Sequence, residues 1–151
     1  MLIDKDYIFN KEVFKNKEEV FEKLGKRLEE DNIVQSGFVK ALKEREADYP
    51  TGLPVEIGVA IPHTDGTLVN KDKLIFVTLE EPVSFNEMGG EDEDTVEVSI
   101  VIMLAVGNGK KHLETLTKLI NTIQNKDFVE QLYSTNNKEE MHSIIVENID
   151  L

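Results

Sequence analysis

Cysteine and tryptophan are both absent from this chain of 151 residues. Without cysteine there is no disulfide framework, no thiolate nucleophile and no cysteine-ligated metal site, a condition compatible with a reducing cytoplasm. Aromatic residues are scarce at 7%, and only four prolines and nine glycines are present, so no low-complexity tract forms. Long apolar runs are missing too. Residues 1–14, MLIDKDYIFNKEVF, scatter charges among the apolar side chains and contain no signal-peptide core. No stretch approaches the ~20 apolar residues of a membrane helix, so a soluble, cytoplasmic chain with no membrane insertion is expected. Basic charge is also short: 17 Lys and Arg face 30 Asp and Glu, for a net −13. Binding to nucleic acid or anionic lipid needs a basic footprint, so the balance argues against both as partners. A basic protein partner would fit, as would solubility alone.

What is present suits one globular α/β domain over residues 1–151, with 40% hydrophobic residues and neither an internal repeat nor a linker. Residues Lys5 to Phe9 read as a short edge strand. Asn16 with Glu19 forms a capping box for a helix carrying Val20, Phe21, Leu24 and Leu28, which stops near Asp31 and Asn32. Ser36 is expected to cap a second helix that runs to about Glu46. After the breaks at Pro50, Gly52 and Pro54, the run Ile57–Ile61 reads as a buried strand stopped by Pro62. Lys73–Leu79 and Val96–Val106 read as two more strands, separated by the polar loop Asn86–Thr95. An Asn108-Gly109 turn precedes an amphipathic helix with Leu113, Leu116, Leu119, Ile120 and Ile123 on one face. Phe128, Val129 and Leu132 mark a short helix, and Asn137 with Glu140 opens the last. Strands flanked by helices imply a layered α/β domain; the residues alone leave open whether its sheet is parallel, mixed or antiparallel.

Three histidines, His63, His112 and His142, are the nucleophile candidates that titrate near neutrality. His63 follows the buried strand in GVAIPHTD, where Pro62 turns the chain toward the surface, a place where rigid elements present functional side chains. By position alone it could equally be a solvent-facing turn residue. His142 lies between Met141 and Ile144 on the terminal helix, within no motif, and reads as a packing or surface residue.

The run READYPTGLPVEIGVAIPHTD, from Arg45 to Asp65, resembles the signature of the fructose–mannitol class of phosphotransferase-system A components (EIIA). Its Tyr-Pro-Thr-Gly-Leu-Pro and Pro-His-Thr-Asp portions look most like the galactitol-type branch. The likeness extends over nearly the whole chain, including the loop with Glu87-Met88-Gly89 and the Lys-Lys-His-Leu helix start. It implies an α/β fold with a central mixed sheet flanked by helices. It also implies a relay in which a histidine accepts phosphate from phospho-HPr and passes it to a cysteine of an EIIB component during sugar or sugar-alcohol uptake. The matching acceptor is His63, through its Nε2 atom by family likeness. A chain without cysteine fits a free-standing A component. Chemically, the acceptor ring must be neutral with one bare nitrogen, while the other donates its proton to a fixed acceptor, expected to be a backbone carbonyl of the nearby loop.

His112, 49 residues downstream at a helix start near Lys110, resembles the second active-site histidine of mannitol-type members and is the candidate donor to phosphoryl oxygens. Some galactitol-type relatives have another polar residue there, so a surface capping-turn histidine is the competing reading. Arg45 matches the arginine of the family's Arg-Glu pair and could clamp phosphoryl oxygens or a partner; at a helix end it could also be a dipole partner or a solvated charge. Thr64 and Asp65 are expected chiefly to shape the loop. No cofactor is called for. A zinc set of His63, Asp65 and His112 matches no ligand spacing, the acidic run Glu91–Asp94 lacks the pattern of a calcium loop, and no serine stands in a nucleophile elbow. The competing function is a regulator of the same family that binds target proteins according to its phosphorylation state without transporting sugar.

Overall fold

A computed structural model describes residues 2–107 and 109–149. Among them, one five-stranded sheet is flanked by five helices in the order β1 (Ile3–Glu12), α1 (Lys17–Glu30), α2 (Phe38–Asp48), β2 (Gly52–Leu53), β3 (Gly58–Ala60), β4 (Lys73–Asn86), β5 (Thr95–Ala105), α3 (Lys110–Ile123), α4 (Lys126–Tyr133) and α5 (Lys138–Asn148). The spatial order is β1-β4-β5-β3-β2. β4 and β5 form an antiparallel hairpin from Lys73↔Ala105 to Asn86↔Thr95. β1 joins β4 in parallel, β3 joins β5 in parallel, and β2 closes the other edge antiparallel to β3. The sheet is therefore mixed.

The apolar runs in β4 and β5 are continuous because both faces of the sheet are covered. Ile75, Val77, Val101 and Met103 face the layer formed with Phe21, Leu28, Phe38 and Leu42 of α1 and α2. Their neighbours Leu74, Phe76, Ile100 and Ile102 face Leu119, Phe128, Leu132, Met141 and Ile145 of the other three helices. The period-two alternation of side chains thus feeds two cores.

Local signals work where they are strictly local. Asn16 Oδ1 accepts the Glu19 N–H at 2.9 Å, and α1 ends at Glu30 with Asn32 left-handed at φ 58°. Asn137 caps Glu140 at 2.9 Å in the same way. Other expectations need correction. Ser36 is not the cap of α2: that place belongs to Gly37 at φ 95°, with no side-chain cap bond. β1 is longer than Lys5–Phe9. β4 does not stop at Leu79 but runs to Asn86, because the register shift between Thr78 and Val83 takes Pro82 out of the ladder. The segment read only as a Pro/Gly break contains β2, two residues paired with β3. Leu113, expected on the buried face of α3, is 65% exposed; burial on that helix begins with Thr115 and Leu119. Asn108 of the expected turn lies outside the described residues.

Gly58 shows how tightly β3 meets the centre of the sheet. A Cβ at that position would stand 2.1 Å from the Glu97 carbonyl oxygen, so the close approach requires glycine.

Candidate active site

His63 is placed by the sheet rather than by a free loop. Pro62 ends the pairing of β3, yet its carbonyl still accepts the Leu104 N–H at 3.0 Å, and His63 forms a parallel bridge with Leu104. The histidine is therefore tied to the end of β5 and is only 5% exposed. Its Nδ1 lies 2.7 Å from the Ile61 carbonyl. A carbonyl can only accept, so Nδ1 carries the proton and Nε2 is bare in the neutral ring.

The same end of β5 positions the second histidine. The Val106 carbonyl, one residue beyond the strand, lies 3.3 Å from His112 Nδ1. The two imidazoles stand 5.5 Å apart between centroids and 56° from coplanar. His112 occupies the first turn of α3, whose N-cap, Gly109, has φ 99° and supplies no side-chain cap. That turn contains Lys110 and Lys111 and no acidic residue, so the helix dipole is left to favour an anion. Lys111 is steadied by Asp72 at 3.3 Å, and Asp72 also accepts the Gly107 N–H at 2.9 Å.

Burial is the main reason the His63 pKa lies below its ordinary value of 6.5. The hydrogen bond to Ile61 opposes this, and the neighbouring His112 and Arg45 push the same way as burial. The neutral, nucleophilic ring consequently persists into mildly acid solution. The sign for stability follows. Below pH 6.5 the unfolded chain binds a proton that the folded site resists, so this group lowers stability as pH falls from 6.5 toward the folded pKa, and makes no difference above it. An NMR titration of the His63 ring is expected to give a midpoint below 6.5; a midpoint at or above that value would contradict the buried, cation-flanked geometry.

Arg45 lies in the last turn of α2, half-buried, with its guanidinium carbon 4.8 Å from the centroid of the Tyr49 ring. Its Nε is buried with no hydrogen-bond partner among the described residues. A cleft of about 230 Å³ separates it from the loop after His63 and is lined by Arg45, Asp48, Thr64, Asp65 and Thr67. Thr64 and Asp65 spend their hydrogen bonds inside that loop. Thr64 Oγ1 accepts the Gly66 N–H at 3.2 Å, and Asp65 Oδ1 accepts both the N–H and the hydroxyl of Thr67 at 3.0 and 2.9 Å. The Thr67 bonds hold the Asp65 carboxyl below its usual range.

The three candidates from the sequence thus converge in part: the two histidines are neighbours, and Arg45 is near enough for its charge to act on His63. His142 is elsewhere, half-buried on α5. Among the described residues no group of three or more His, Cys, Asp or Glu could hold a metal ion. Sequence reasoning missed the carbonyls of Ile61 and Val106 as the particular ring anchors. It also passed over Glu46, which is 3% exposed and accepts two hydrogen bonds from Thr51. The Arg-Glu pair was visible, but one glutamate among so many acidic residues carries no sign of burial.

Comparison with known proteins agrees with this architecture. The chain is 31% identical over 120 residues to the galactitol-specific EIIA component of the PTS system of Escherichia coli K12, covering 79% of each chain. Among solved structures, Nitrogen Regulatory Protein IIA-Ntr from Neisseria meningitidis superposes with a TM-score of 0.79 at 29% identity, covering 95% of this chain and 96% of that one. The complex of enzyme IIAMTL and phosphorylated enzyme IIBMTL from Escherichia coli matches with a TM-score of 0.78 at 25% identity, over 97% and 99% of the two chains. Residues 1–148 match the family described as "Phosphoenolpyruvate-dependent sugar phosphotransferase system, EIIA 2", and the chain belongs to that family.

Proposed function

We propose that the protein is a cytoplasmic phosphocarrier whose His63 takes a phosphoryl group from phospho-HPr and passes it to a cysteine of an EIIB component. The observation that carries this reading is the buried His63 ring, its Nδ1 hydrogen spent on Ile61 and a second imidazole 5.5 Å away. In the first step the Nε2 lone pair attacks phosphorus, and the P–N bond of the donor histidine breaks with its electron pair returning to the HPr ring. In the second, a thiolate of EIIB attacks the same phosphorus and the bond to His63 breaks, restoring the neutral ring. The transition state is loose, with charge spread over three phosphoryl oxygens, so the protein's work is positioning and donation. The Arg45 guanidinium, the start of α3 and a doubly protonated His112, whose Nδ1–H stays on the Val106 carbonyl while its Nε2–H donates, are the groups assigned to those oxygens.

Partnership with EIIB is supported by the likeness to enzyme IIAMTL, solved as a complex with its phosphorylated IIB. The galactitol-specific relative makes a sugar alcohol the favoured cargo class. A regulatory role is the second reading, favoured by the likeness to IIA-Ntr at a similar TM-score and identity.

Incubation with phosphoenolpyruvate, enzyme I and HPr, followed by intact mass and peptide mapping, tests the proposal. One acid-labile phosphate on the peptide containing His63, discharged on adding a cognate EIIB, is the expected result. Charging without discharge to any EIIB would favour the regulator. No modification in the presence of working HPr would sink both.

A further inference from the structure

Glu46 is the one buried carboxylate among the described residues, at 3% exposure, and Thr51 engages both of its oxygens. Oε2 accepts the Thr51 N–H at 2.7 Å and Oε1 accepts the Thr51 hydroxyl at 2.8 Å. Thr51 is itself 2% exposed. Burial raises the Glu46 pKa, with the two Thr51 bonds opposing. A carboxyl kept away from water costs several kcal/mol unless its bonds return most of it, so the arrangement invites the question of what these bonds hold in place.

They hold the start of a chain of contacts that ends at His63. Thr51 precedes β2, and its carbonyl accepts the Ile61 N–H at 3.4 Å. The Ile61 carbonyl, on the far side of the same residue, is the acceptor for His63 Nδ1 at 2.7 Å. Between the two ends β2 contributes only the pairs Gly52↔Ala60 and Leu53↔Val59. Two residues make a weak strand by themselves, so its position depends on what anchors its ends. One anchor is the Met88 N–H on the Gly52 carbonyl at 2.8 Å. The other is Glu46.

We infer that Glu46 is a positioning residue for the His63 ring, acting through Thr51 and the Ile61 backbone to fix the carbonyl that receives the Nδ1 proton. The inference rests on the phosphocarrier reading for its meaning, since the ring's orientation matters only if Nε2 must face a phosphoryl group. With the carbonyl misplaced, the ring can take the other tautomer or rotate, and Nε2 ceases to be the bare nitrogen aimed outward. Arg45 directly precedes Glu46 on α2, so one helix end anchors the acceptor's backbone and supplies a cation near its ring.

The test compares Glu46→Leu, which removes both acceptors at similar volume, with Glu46→Gln, which keeps one carbonyl acceptor and an amide that can donate to the Thr51 hydroxyl. Two readouts are taken: nitrogen chemical shifts of the His63 ring in unphosphorylated protein, which report the tautomer, and the rate of charging from phospho-HPr. In Glu46→Leu the Nδ1–H tautomer is expected to lose population and charging to slow by about tenfold or more. Glu46→Gln should restore both to within about threefold of wild type, because geometry rather than charge is at work. A folded Glu46→Leu protein with the wild-type tautomer overturns the inference, whatever its rate. So does a Glu46→Gln protein as impaired as Glu46→Leu. Should Glu46→Leu fail to fold, Thr51→Val, which loses only the hydroxyl, must shift the tautomer in the same direction, while Thr51→Ser must not; an unshifted Thr51→Val ring overturns the inference. A wild type that accepts no phosphate sinks the carrier reading instead, and the tautomer comparison still decides the role of Glu46.

Discussion

His63→Gln is expected to abolish charging from phospho-HPr, a loss of about a thousandfold or more, with the fold intact. An amide nitrogen has its lone pair delocalised into the carbonyl and cannot attack phosphorus, whereas the bare Nε2 of a neutral imidazole can. The side chain is nearly buried, but its backbone bonds to β5 through Pro62 and Leu104 do not depend on the ring. Circular dichroism and thermal unfolding should therefore remain close to wild type while the mass shift disappears. His112→Gln is the internal comparison. Its ring lies 5.5 Å from the acceptor and has its own anchor at Val106, so the substitution displaces a positioned imidazole without removing the nucleophile. Charging should persist in that variant, slowed by about tenfold to a hundredfold. The opposite pattern, with His112→Gln uncharged and His63→Gln charged, would reverse the roles assigned to the two rings.

Much of this arrangement was readable from the residues, and the parts that were not share a cause. The burial of β5 was visible in the apolar run from Ser99 to Val106, which has the length of a buried strand. The caps at Asn16 and Asn137 were visible because a cap and its partner lie three residues apart. Ser36 misled because the position needs a left-handed backbone, which Gly37 supplies and a serine side chain does not advertise. The strand read as Lys73–Leu79 fell short of Asn86, since a bulge that carries the chain past Pro82 depends on the partner strand. His63 stood out through its strand-Pro-His context and through the family likeness. Its neighbour 49 residues away could be linked to it only by that likeness, as no spacing rule reports a contact between the ends of different elements. Glu46 was beyond reach for the same reason: helix position alone gives no sign that a glutamate points inward to another segment's backbone.

The segment beyond Pro82 that escaped the strand pattern is also where the second large effect is expected. Phe85 is fully buried in β4 and meets Phe21 of α1 edge to face, with centroids 5.9 Å apart and planes at 75°. Phe85→Ala should cost about 3–5 kcal/mol, the range for a buried phenylalanine whose cavity cannot collapse. Against a typical stability of about 5–15 kcal/mol, that is a large fraction. The unfolding midpoint should drop by roughly 10 °C, and the urea midpoint should fall with little change in slope. Phe21→Ala should be similar, and the double variant should cost less than the sum by about 0.5–1.5 kcal/mol, the worth of the edge-to-face contact. Tyr49→Ala, at a side chain 65% exposed, should leave the midpoint nearly unchanged. The consequence reaches the site as well. A Cβ on Gly52 would lie 3.2 Å from the Phe85 Cβ and 2.6 Å from the Asn86 carbonyl oxygen, so this part of β4 forms the floor under β2. Phe85→Ala keeps that Cβ but removes the ring that holds this stretch of β4 against α1, which loosens the support under the segment that carries Thr51. Charging of folded Phe85→Ala should therefore slow, whereas a core variant on the opposite face of the sheet, such as Leu132→Ala, should lose stability without a matching loss of rate. Equal slowing in both would mean that the site responds to global stability rather than to the support beneath β2.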